Sequence, residues 1–135
     1  MKKLWVTGFI ALVAALVFTA CGDNNSEDPT WYMVDRNGYT SFDCQMLNKQ
    51  INTAPTQPIS DLERTSLLFM REEEKLAHDV YQKMNDRWNK QVFENIAQSE
   101  ATHTCAVLNL LNRYSIPDPV GTNGIGVFTN PTLQF

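Results

Sequence analysis

Positive charge is in short supply in this 135-residue chain: 11 Lys and Arg stand against 15 Asp and Glu, a net charge of −4. That balance argues against nucleic acid as a partner. No apolar run is long enough to span a bilayer either. The most apolar stretch, Leu4–Phe18, has 15 residues, where a spanning helix needs about 20. Cysteine is limited to Cys21, Cys44 and Cys105. No Asp/Asn-rich stretch has the loop spacing that wraps calcium. What is present is an ordinary globular composition, 43% hydrophobic and 19% charged, in a chain sized for one small domain.

Lys2-Lys3 followed by Leu4–Phe18 reads as a signal peptide over residues 1–20. The run ends in Phe18-Thr19-Ala20-Cys21-Gly22, which resembles a bacterial lipoprotein signal, although Phe18 stands where Leu is usual. The resemblance implies cleavage before Cys21, lipidation of its thiol and a membrane anchor at the cell envelope. Gly22, rather than Asp, points to outer-membrane sorting in a cell with two membranes. A plain secretory leader with a chance cysteine is the alternative. Loss of the leader removes Lys2 and Lys3 and leaves 9 basic against 15 acidic side chains, a balance of −6. In an exported chain Cys44 and Cys105 are candidates to pair.

Residues 21–59 read as a tether and a small N-terminal segment. The polar stretch 22–30 is of the kind that follows a lipid anchor. Trp31–Val34 and Tyr39–Phe42 flank Asn37-Gly38, a hairpin signal. Such a hairpin is marginal unless it packs on something. Pro55 and Pro58 mark a linker.

A helical domain is expected over 60–135. Ser60 and Glu63 make a capping box, and Asp61 suits the positive helix end. An apolar stripe then runs through Leu67, Met70, Ala77, Val80, Tyr81, Met84 and Trp88. Glu74 lies about 40° from Met70 round the helix and Glu73 about 60° the other way, so both flank the stripe. Glu72, at about 200°, is expected to face solvent. Asn89 breaks the pattern, and so short a connection makes the two helices antiparallel neighbours.

In the second helix Phe93, Ile96, Glu100, His103, Val107, Leu110, Leu111 and Tyr114 share one face. Glu100 and His103 are the polar exceptions, and burying them is costly unless something compensates their charge. A metal ion is one such compensation. Cys105 is about 200° round from His103 and points away. Measured from the turn, Glu74 lies ~21 Å along its helix, and Glu100 and His103 lie ~14 and ~18 Å along theirs. The three therefore share one depth. Carboxylates with an imidazole suit iron or manganese, and also zinc.

Met70-Arg71-Glu72-Glu73-Glu74-Lys75-Leu76-Ala77-His78-Asp79-Val80-Tyr81, then Phe93–Glu100 with His103, then Asn123–Pro131, resemble the ferritin-like family called domain of unknown function 2202. The resemblance covers about residues 60–135. It extends to rubrerythrins, in which a ligand Glu is followed seven residues later by Tyr. Here that pair is Glu74 and Tyr81, with Tyr81 in a supporting place beside the metal. The resemblance implies half of a four-helix bundle, with Glu74 and His103 as terminal ligands and Glu100 bridging two irons. His78 stands where the family has Arg and is not counted as a ligand. The family continues into a second helix pair carrying the other ligands. This chain stops at Phe135, so either it is a truncated product or two copies pair as a homodimer to rebuild four helices.

The expectation is thus an all-α chain, an antiparallel helical hairpin after a signal peptide and a poorly structured segment. It would bind iron through Glu74, Glu100 and His103 on an exported lipoprotein, with a redox or iron-handling role. A non-catalytic interaction lipoprotein without metal is the competing reading, and a single zinc site on the same residues is a third.

Overall fold

The computed structural model describes residues 32–37 and 39–134. The leader 1–20 and Cys21 lie outside the described residues. Strands β1 (Tyr32–Val34) and β2 (Thr40–Phe42) form an antiparallel hairpin. Helices α1 (Cys44–Thr53), α2 (Asp61–Trp88) and α3 (Gln91–Arg113) follow. No helix among the described residues is long and apolar enough to cross a membrane.

The 28-residue α2 begins as its sequence directs. The Ser60 hydroxyl accepts from the Glu63 N–H, and Glu63 accepts in return from the Ser60 N–H at 2.7 Å. It ends where Asn89 turns left-handed, φ 47°. Two residues later α3 starts, and the two helices pack side by side along most of their length. The hairpin forms where Asn37-Gly38 predicts it, closed by Asp35, whose carboxylate accepts from the backbone of Asn37 and Tyr39 at 2.8 Å each. It does pack on a helix: the Thr40 N–H donates to Ser99 Oγ at 2.9 Å.

Helix α1 is not signalled by periodicity. Its cue is Asp43, an N-cap that accepts from the N–H groups of Gln45 and Met46. A disulfide between Cys44 and Cys105, with Cα atoms 6.3 Å apart, ties α1 to α3.

Beyond Arg113 the chain forms no further helix or strand among the described residues, yet it supplies most of the core. Ile116, Val120, Phe128 and Leu133 are buried together with Ala97, Val107 and Leu111 of α3. A segment without secondary structure must still satisfy its backbone polar groups, and α2 does this with charged side chains. Glu72 accepts from the N–H groups of Thr129 and, at 2.9 Å, Asn130. Asp79 accepts from the Gly126 N–H at 2.9 Å. Lys75 donates to the Gly124 carbonyl at 2.7 Å and to Asp79, and its ammonium lies 4.7 Å from the centre of the Phe128 ring. Arg71 holds Asp118 with two parallel bonds of 3.0 and 2.9 Å. Glu72 is therefore not solvent-facing, as its helical angle suggests, but 3% exposed. The angle is right; the tail covers that side of the helix.

The apolar stripe of α2 is also only partly covered. Val80 and Trp88 are 45% and 55% exposed and border a groove with Leu76, Met84, Ile125 and Phe128.

Candidate metal centre

Antiparallel packing sets Glu74 on α2 across from Glu100 and His103 on α3. The spacing Glu100-x-x-His103 puts both side chains on one face a turn apart. His103 Nδ1 lies 3.0 Å from Glu100 Oε2 and 3.4 Å from Glu74 Oε2. One donor atom from each of the three falls within 4.8 Å of the others. All three side chains are partly buried, with the carboxylates at 17% and 18% exposure and the imidazole at 35%.

The three groups share charge. Hydrogen bonds donated to the Glu100 and then the Glu74 carboxylate push the His103 imidazole up to about 9, against the opposing effect of burial. Burial lifts the Glu74 carboxyl above the usual range, and the Glu100 charge adds to this, although His103 pulls the other way. Burial would lift Glu100 too, but its bonds with His103 and Glu74 outweigh burial and hold it below the usual range. Glu73 is half-buried beside them, its carboxyl raised first by burial and then by the Glu100 charge. Two carboxylates and a protonated imidazole make an anionic nest that a divalent cation could enter by displacing the imidazole proton.

The other residues singled out in the sequence sit around this cluster without joining it. Tyr81, on the same helix face, stacks on Phe93 with ring centres 6.4 Å apart, and no hydrogen bond among the described residues joins it to the three. His78 Nδ1 lies 3.2 Å from Asp79 Oδ1. Cys105 points away, into the disulfide. A contact that periodicity does not reveal is Phe42 of β2, whose ring is 6.1 Å from that of His103. The only cue to it was the hairpin, which had to pack somewhere.

No solved structure matches this chain. An uncharacterized protein of Methanocaldococcus jannaschii is 54% identical over 84 residues, which cover 62% of this chain and 45% of that protein. The chain thus spans less than half the length of this relative. The family model described as uncharacterized protein domain DUF2202 matches residues 63–135, a stretch that holds Glu74, Glu100, His103 and the whole of the tail bound to α2. On that match, over more than half its length, the chain belongs to the DUF2202 family.

Proposed function

We propose that Glu74, Glu100 and His103 bind a metal ion, with iron as the preferred ion, in a ferritin-like carboxylate centre. The observation that carries this reading is the convergence of their donor atoms within 4.8 Å from two different helices. The donor set fits the ion: carboxylate oxygens with one imidazole nitrogen suit iron, and manganese and zinc by the same chemistry. Iron held by carboxylates supplies one-electron redox chemistry toward dioxygen or peroxide. The protein's own contributions are distinct. Glu74 and Glu100 provide charge in a half-dry seam where it acts strongly. His103 gives up a proton to become a donor.

The lipoprotein reading of Cys21 places this centre on an exported protein anchored at the envelope. Three donors leave a two-metal site short of ligands. A second copy, related by a two-fold axis, would bring the same three again. The exposed Leu62, Phe69 and Val80, 77%, 43% and 45% accessible, lie along one side of α2 and suit such a partner. Without metal, the same features describe an interaction lipoprotein with a helical hairpin.

Anaerobic titration with ferrous ion, followed by elemental analysis after desalting, tests the assignment. Glu100→Ala and His103→Ala are expected to abolish uptake, and Asp86→Ala, on the exposed face of α2, to leave it unchanged. Equal iron in all variants would overturn the ligand set. Zinc retained in place of iron, with no colour and no response to peroxide, would favour the single zinc site.

A further inference from the structure

Residues 32–57 contribute no fully buried side chain among those described. They nevertheless lie against α3, on the side that bears Ser99, Cys105 and Asn109, with the Phe42 ring reaching His103 at its edge. Among the described residues their hydrogen bonds to α3 include the following. Thr40 N–H donates to Ser99 Oγ at 2.9 Å, Asn109 Nδ2 to the Cys44 carbonyl at 3.2 Å, and Asn95 Nδ2 to the Asn37 carbonyl at 3.5 Å. Arg113 reaches Asn52, Ala54 and Thr56 at the far end of α1. Each of these bonds is exposed or only part-buried, so water competes for it. The apolar side chains of α1 stay half-exposed, Met46, Leu47 and Ile51 among them. One covalent link remains, Cys44–Cys105. Its position is specific: Cys44 is two residues beyond Phe42, and Cys105 is two beyond His103. The bond thus ties together the two backbone segments whose rings meet.

We propose that the Cys44–Cys105 disulfide is a redox latch that holds Phe42 against the His103 imidazole, and that its reduction frees residues 32–57 from the helical pair and uncovers the Glu74–Glu100–His103 cluster. The reductant is a dithiol. One of its thiolates attacks a protein sulfur and breaks the S–S bond. Its second thiol then closes it into a cyclic disulfide. Two electrons pass to the protein, and Cys44 and Cys105 each end as a thiol carrying one proton. A segment whose bonds are exposed or only part-buried, and which buries no side chain fully, is the kind of unit that opens without global unfolding. The latch rests on these contacts alone. Its consequence for metal access rests on the function proposed above.

Amide hydrogen exchange on the full chain, before and after dithiothreitol, tests the latch. Residues 40–53 are expected to exchange at least about ten-fold faster once reduced, with α2 and α3 still protected. The His103 imidazole nitrogen resonances should shift on reduction. They should shift also in Phe42→Ala with the disulfide intact, where 44–53 stay protected. Unchanged protection over 40–53 would overturn the proposal. So would loss of protection throughout α2 and α3, because the bond would then be a staple for the whole fold. With cobalt(II) as the probe, Cys44→Ser combined with Cys105→Ser should release the ion to a chelator at least about ten-fold faster than the disulfide form, and equal release would overturn the gating role. A chain that takes up no cobalt in either form would overturn that role and the metal reading together, and amide exchange would still decide the latch itself.

Discussion

His103 is the residue whose charge state matters most. Its imidazole titrates near 9 in the folded chain against an ordinary value of 6.5. A group whose folded value is raised contributes its stabilisation fully below the unfolded value and loses it as pH rises through the folded one. The metal-free protein should therefore lose melting temperature between about pH 6.5 and 9, and His103→Gln should flatten that slope. A melting temperature that climbs over this window would contradict the shared proton. The same proton must leave when a metal binds, so cobalt affinity should rise with pH up to about 9. Helical angle and depth brought Glu100 and His103 level with Glu73 and Glu74, and the resemblance, through Tyr81, favoured Glu74. The charge sharing of the trio was not legible, because that depends on distances of 3.0 and 3.4 Å that no spacing rule supplies.

At the scale of the element, α2 serves two surfaces. One faces α3 and carries Glu74. The other carries Arg71, Glu72, Lys75 and Asp79, which are buried beneath the tail. Burial opposes ionisation of Asp118 and Asp79. Arg71 and the Val120 N–H outweigh it for Asp118, and Lys75, the Gly126 N–H and His78 for Asp79, so both carboxyls sit below the usual range. Asp118→Ala would leave Arg71, a residue 5% exposed, without its counter-charge. Breaking such a pair costs about 3 kcal/mol, and a denaturant midpoint lowered with unchanged slope would record it. A cost below about 0.5 kcal/mol, as for a surface pair, would show that the tail does not bury this bridge. The helix, its cap and its end were readable from Ser60, Glu63 and Asn89. The second surface was not, because Glu72 in a run of three glutamates looks solvated until a non-helical segment is laid over it.

At the scale of the whole molecule, one apolar side of α2 stays exposed. Leu62, Phe69 and Val80 stand within about 20° of one another round the helix, and Glu73 is about 20° from the same line. The proposed second copy would bury this stripe. Sedimentation equilibrium should then show a dimer, and Phe69→Glu should raise its dissociation constant about ten-fold or more. A monomer at all accessible concentrations would remove the two-fold arrangement and leave the three-donor site within one chain.

Local physics determined a good part of this protein in advance. Periodicity and capping set two antiparallel helices, Asn37-Gly38 set a hairpin, and 3.6 residues per turn brought Glu74, Glu100 and His103 to one depth. Tertiary structure alone decided that the tail would bind the charged side of α2, that Cys44 would reach Cys105 across 61 residues, and that Phe42 would come to rest on His103. The reason is physical. Short-range rules report which way a side chain leaves its own helix, whereas what meets it there depends on loop closure and on backbone groups distant in sequence that need partners.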